Sequence, residues 1–109
     1  SPFGAPEGTT TDPQGLIDPY TQEIQRRLQA QYTVPKTIPS AQRPFLEAEV
    51  ILYINRDGSV RRFEFIERHP NEQFIGALEA LLRTITFPPP PAERAAELAN
   101  EGQAIRFRP

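Results

Sequence analysis

Across residues 45–68 the chain reads FLEAEVILYINRDGSVRRFEFIER, and apolar and polar positions alternate. Leu46, Ala48, Val50, Leu52 and Ile54 take one face of a strand, and Glu47, Glu49, Ile51, Tyr53 and Asn55 take the other. Asn55-Arg56-Asp57-Gly58 is polar and ends in the residue that tolerates positive φ, so a type I turn closed by a left-handed Gly58 is expected. Val60 then falls opposite Ile54. Phe63 and Phe65 sit at odd offsets from Val60, so the three share one face only if an extra residue is inserted near Arg61-Arg62. A hairpin with a β-bulge there is predicted, with Phe63 facing Leu52, Phe65 facing Val50, and Arg68 paired across the strands with Glu47.

Helical spacing flanks the hairpin on both sides. Asp18 is a good cap and Pro19 suits the first helical position; Tyr20, Ile24, Leu28 and Tyr32 then draw one apolar stripe on a helix over about 19–31. Val34-Pro35 stops it, because a residue before proline is pushed out of the α region. Residues 36–44, with Pro39 and Pro44, read as an extended connection. After the hairpin, Phe74, Leu78, Leu81, Leu82 and Ile85 predict a second helix over about 72–84, started by Pro70 or Asn71. The small Gly76 and Ala77 would let that helix approach the sheet or the first helix closely.

Phe87 precedes four prolines at 88–91, a polyproline II run without backbone donors. Such a run is either a docking site for a proline-recognition module or a stiff bridge, and Phe87, placed as an anchor to the core, favours the bridge. Residues 93–100 have the pattern of a short helix whose Ala95, Ala96 and Leu98 offer little to bury, and Gly102 ends it. Gln103, Ala104, Ile105, Arg106 and Phe107 then alternate as a third strand. The order helix, strand, strand, helix, strand predicts an α+β fold: a three-stranded antiparallel sheet with two helices packed on one face.

Composition narrows the function classes. Residues 1–17 are rich in Pro, Gly and Thr and read as a flexible linker, leaving 18–109 as one domain, too small for a deep enclosed cavity. The chain begins at Ser1 inside that linker, so it is expected to be the C-terminal domain of a longer protein. A net charge of −2 argues against a general electrostatic grip on nucleic acid or on an anionic membrane. Without cysteine there is neither a disulfide framework nor a thiolate metal site, and nothing approaches the ~20 apolar residues of a membrane span.

Catalytic constellations are equally sparse. His69 is the single histidine, so a two-histidine metal site is impossible, and its place at a strand end beside Pro70 suits a surface or capping role. Glu47, Glu49 and Glu64 resemble a carboxylate set, but they fall on the wet face among Arg61, Arg62 and Arg68. Glycine occurs singly, without a phosphate-cradling motif. No enzyme, cofactor or metal is expected.

Several of these motifs together resemble the C-terminal domain of the TonB/TolA family of bacterial envelope proteins. Tyr20, Ile24, Leu28, Tyr32 and Pro35 are similar to its first-helix pattern; Val50, Leu52, Ile54, Asp57-Gly58 and Val60 to its hairpin; Phe74, Ala77, Leu82, Phe87 and the prolines to its second helix and the segment after it; Ile105, Phe107 and Pro109 to its final strand. Glu67-Arg68-His69 stands where Ser-Ser-Gly often follows the second strand, and the first helix resembles TolA and the TonB-like domains of other envelope machines more than TonB proper.

The resemblance implies a noncatalytic periplasmic domain of an inner-membrane-anchored energy transducer. Its partners would be a segment of an outer-membrane or periplasmic protein and, through the N-terminal region, an ExbB/TolQ-like motor, in transport, Tol-type or motility machinery. Capture would use edge-strand addition, with Gln103, Ala104, Ile105, Arg106 and Phe107 as the docking edge and Arg106 and Arg108 favouring an acidic peptide. The alternative is a scaffold domain that docks or dimerises, for instance by strand exchange, without energy transfer.

Overall fold

A computed structural model describes residues 18–109, so the linker expected at 1–17 lies outside the described residues. The elements run α1 (Pro19–Gln31), a short 3-10 helix (Ser40–Phe45), β1 (Ala48–Ile54), β2 (Val60–Glu67), α2 (Glu72–Leu82), α3 (Ala92–Asn100) and β3 (Gln103–Phe107). The strands form one antiparallel sheet in the order β2-β1-β3. The fold is α+β, as the element order predicts.

Local chemistry explains several of these boundaries. The Asp18 carboxylate accepts from the N–H groups of Tyr20 (3.0 Å) and Thr21 (3.1 Å), and Pro19 starts α1. Asn71 caps α2 in the same way, accepting from Gln73 and Phe74 N–H. The hairpin closes with Gly58 N–H donating to Asn55 C=O at 2.9 Å and Gly58 at φ 94°. One expectation fails here: residues 40–45 coil into a 3-10 turn rather than extend, because Gln42 N–H finds Pro39 C=O at 2.9 Å and Leu46 N–H finds Arg43 C=O at 3.2 Å.

Register follows the alternation. Leu52 faces Phe63, Val50 faces Phe65, and the pairing jumps from Tyr53↔Arg62 to Ile54↔Val60, so Arg61 is the inserted residue. A second irregularity lies beyond it. Val50 faces Phe65 but Glu49 faces Glu67, so Ile66 bulges out and remains exposed. That slip removes the expected Glu47–Arg68 pair: Arg68 reaches α2 instead, 3.1 Å from Glu72 and 3.3 Å from Glu79.

One apolar cluster joins the sheet to the helices. Val50, Leu52 and Ile54 of β1 and Ile105 and Phe107 of β3 pack with Ile24 and Leu28 of α1, Phe74, Ile75, Leu78 and Leu82 of α2, and Leu98 of α3. Each such side chain stabilises the fold by roughly 1.5–3 kcal/mol when fully buried. α3 therefore contributes more than its composition suggested, since Leu98 is 0 % exposed and Ala95 3 %. On the opposite face Tyr53 is covered by the Arg62 guanidinium, 3.8 Å above its ring.

Gly76 does not serve close approach, as its small size suggested. It is exposed, and a Cβ there would meet no atom within 4 Å; Ala77 is the residue that packs on the core. Gly76→Ala should therefore raise stability by about 0.5–1 kcal/mol through helix propensity alone. A urea titration checks this, and an unchanged or lowered midpoint would contradict it.

Tyr32 ends α1 and donates its hydroxyl to Phe74 C=O at 3.1 Å. Burial pushes its pKa up from 10 to about 12. Because the unfolded chain releases this proton first, the folded state should lose stability as pH rises from about 10 to 12. Alkaline thermal melts should show that loss, and Tyr32→Phe should flatten this part of the profile.

Candidate functional site

β3 lies at a rim of the sheet. It pairs with β1 through Leu52↔Gln103, Ile51↔Ala104, Val50↔Ile105, Glu49↔Arg106 and Ala48↔Phe107, and among the described residues no strand pairs with its outer side. Ile105 (0 % exposed) and Phe107 (1 %) turn into the core; Ala104 and Arg106 are exposed on the other face, and Gln103 is half-buried. The strand is thus held by two core anchors, and among the described residues β1 is its one strand neighbour.

Two helices position that strand. Gln25 and Gln29 of α1, one turn apart and so on one face, line a groove of about 250 Å³ with Arg106, Phe107 and Arg108. Gln29 Nε2 donates to Arg108 C=O at 3.0 Å, fixing the strand end. At the other end Arg94 of α3 donates to Gln103 Oε1 at 2.8 Å and to Asp18 Oδ2 at 2.7 Å. Partial burial pushes the Asp18 carboxyl up, but the Thr21 hydroxyl and amide, Arg94 and the Tyr20 amide outweigh it and hold the pKa below its ordinary value. The residue that caps α1 and the residue that begins β3 therefore share one guanidinium.

The open face beside β3 is charged. Arg106 bonds Glu47 and lies 3.5 Å from Glu49 and 4.0 Å from Glu67, while Arg108 lies 3.6 Å from Glu47. The hydrogen bond to Arg106 is the main cause holding the Glu47 pKa below its usual range. These contacts replace the grouping with Arg61, Arg62 and Arg68 expected from sequence; Arg62 lies near Glu64, at 3.4 Å. Both rim arginines thus have carboxylate partners within the chain.

The remaining candidates are structural. His69 Nδ1 accepts from Asn71 N–H at 3.0 Å, and the ring meets Phe74 edge-on at 5.6 Å, so the histidine braces the start of α2. The proline run is pinned at its head: Phe87 N–H donates to Gly58 C=O at 2.9 Å, Tyr20 Oη donates to Pro88 C=O at 2.7 Å, and Pro90 is buried. This is the bridge arrangement. Among the described residues no group of three or more His, Cys, Asp or Glu side chains could hold a metal ion, and no helix is long and apolar enough to cross a membrane.

Sequence reasoning missed Gln25, Gln29 and Arg94. The four-residue spacing of the two glutamines was visible, but nothing local says which element a polar helix face will meet. Arg94 carries no signal at all, since its partners Asp18 and Gln103 are brought to it only by the folded chain.

The chain is a small α+β domain whose rim strand β3 adjoins a groove. The TonB C-terminal family model matches residues 17–102, most of the chain, and the chain belongs to that family. Domains of this family are noncatalytic, typically periplasmic, and interact with other envelope proteins in energy transduction. The match ends immediately before β3. No curated protein and no solved structure matches the chain.

Proposed function

We propose that the domain takes a segment of an outer-membrane or periplasmic protein as an added strand on β3, and passes on force from an ion-driven inner-membrane motor coupled through the region preceding α1. Residues 18–109 act as the binding unit and residues 1–17 as its tether. The observation that carries this reading is the place of β3: one side is paired with β1, its core side chains are buried, no strand pairs with its other side among the described residues, and its end lines a groove with α1.

Two further features support it. The other rim, β2, is interrupted at Arg61 and Ile66, and bulges of this kind discourage strand addition. Arg94 ties Asp18, where tension from the tether would arrive, to Gln103, where the guest would be held. Tension would then reach the docking strand without first crossing the core.

Titrating the isotope-labelled domain with periplasmic segments of candidate outer-membrane proteins tests the site. Gln103, Ala104, Ile105, Arg106 and Phe107 should shift first. Shifts centred on the prolines at 88–91 would replace strand addition by proline docking, and concentration-dependent dimerisation without peptide binding would favour the scaffold reading.

A further inference from the structure

If β3 is the docking strand, the row of residues that ends at its rim says what charge the guest carries. Glu67 of β2 faces Glu49 of β1, and Glu49 faces Arg106 of β3. Like charges directly opposite one another are unfavourable, and Arg106 relieves them by leaning inward, to 3.5 Å from Glu49 and, across β1, to 4.0 Å from Glu67. Glu47, bonded to Arg106 and 3.6 Å from Arg108, adds a third carboxylate to the same cluster. Three carboxylates therefore share two guanidiniums, both drawn toward the inside of the sheet. Among the described residues Glu67 has the 4.0 Å contact with Arg106 as its one ion pair, with its side chain 70 % exposed.

An added strand would lie ~4.8 Å outside β3, and one of its side chains would extend this row as the neighbour of Arg106. An acidic side chain there would have to draw Arg106 outward, leaving Glu49 and Glu67 facing each other without their shared cation. A basic one would meet an arginine already neutralised by its partners, within a cluster that has one carboxylate in excess. Salt would weaken the difference, because every group involved is near solvent.

We propose that the segment docking on β3 places a Lys or Arg side chain on the open face of the sheet beside Arg106, so that the guest completes the Glu67–Glu49–Arg106 row with a second cation. The partner is accordingly an extended segment with a basic residue at that register.

Three end-blocked peptides, identical except for Lys, Ser or Glu at the position beside Arg106 and carrying Thr at the groove-facing positions, test this by amide titration at low salt. All three should move the amides of Gln103, Ala104, Ile105, Arg106 and Phe107, with Lys about threefold tighter than Ser and Glu about threefold weaker. The gap between Lys and Glu should shrink in high salt, and also in Glu67→Gln. Binding of the Glu peptide at β3 as tightly as the Lys peptide would overturn the charge preference and leave the docking strand standing. Failure of all three to bind, or shifts centred elsewhere, would remove the docking strand and the charge preference with it.

Discussion

Gly58→Ala should lower stability by about 3–4 kcal/mol, a large share of what a domain of this size possesses. Gly58 has φ 94°, and a Cβ built on it would lie 1.9 Å from the Phe87 carbonyl oxygen and 2.8 Å from its carbon. Both obstacles are backbone, so no side-chain rotation relieves them. The left-handed conformation costs an alanine roughly 1–2 kcal/mol, and moving residue 87 away gives up the Phe87 N–H to Gly58 C=O bond, worth about 1 kcal/mol, and disturbs the buried Phe87 ring. At about 4–8 °C for each kcal/mol the melting temperature should fall by about 15 °C or more. Gly58→Asn separates the causes. Asparagine tolerates positive φ but carries the same Cβ, so it should be nearly as damaging as alanine; a mild effect would mean that conformation, and not the approach of Phe87, sets the requirement.

Phe74→Ala should be comparably severe, at about 3–5 kcal/mol. Phe74 is 0 % exposed and meets three rings: Tyr32 edge-on at 5.9 Å, Phe107 stacked at 6.2 Å and His69 edge-on at 5.6 Å. Those contacts join the end of α1, the start of α2 and the end of β3, so the cavity opens beneath β3. Phe74→Leu, which keeps much of the volume, should fold well enough for peptide titration and show weakened docking together with altered Phe107 amide shifts. Urea denaturation measures the first effect, and a loss under about 1.5 kcal/mol would contradict it.

These two sites show what the sequence could and could not reveal. Gly58 was legible as a turn glycine, because Asn55-Arg56-Asp57-Gly58 sits between two alternating runs; its contact with Phe87 was not, since it joins segments far apart in the chain. The first bulge followed from the parity of Val60, Phe63 and Phe65, whereas the second, at Ile66, broke no pattern: with Glu64, Glu67 and Arg68 around it, either register keeps the charges wet. That slip decided the partners of Arg68 and brought Glu67 opposite Glu49. β3 is readable as a strand from its Ile105 and Phe107 alternation, but the inward lean of Arg106 depends on the order β2-β1-β3, a tertiary fact. The burial of α3 was underrated for a similar reason: one leucine is a small stripe, and only its position over the core makes it count.

Hydrogen exchange of the β3 amides, with and without a bound peptide, tests the central claim most directly. In the free domain the amides of Gln103–Phe107 that point toward β1 should exchange slowly and those between them quickly; on binding, the fast ones should become protected, giving a gain at alternate residues that only an added strand produces. Protection gained instead along Val60–Glu67 or at the proline run, with β3 unchanged, would contradict the account.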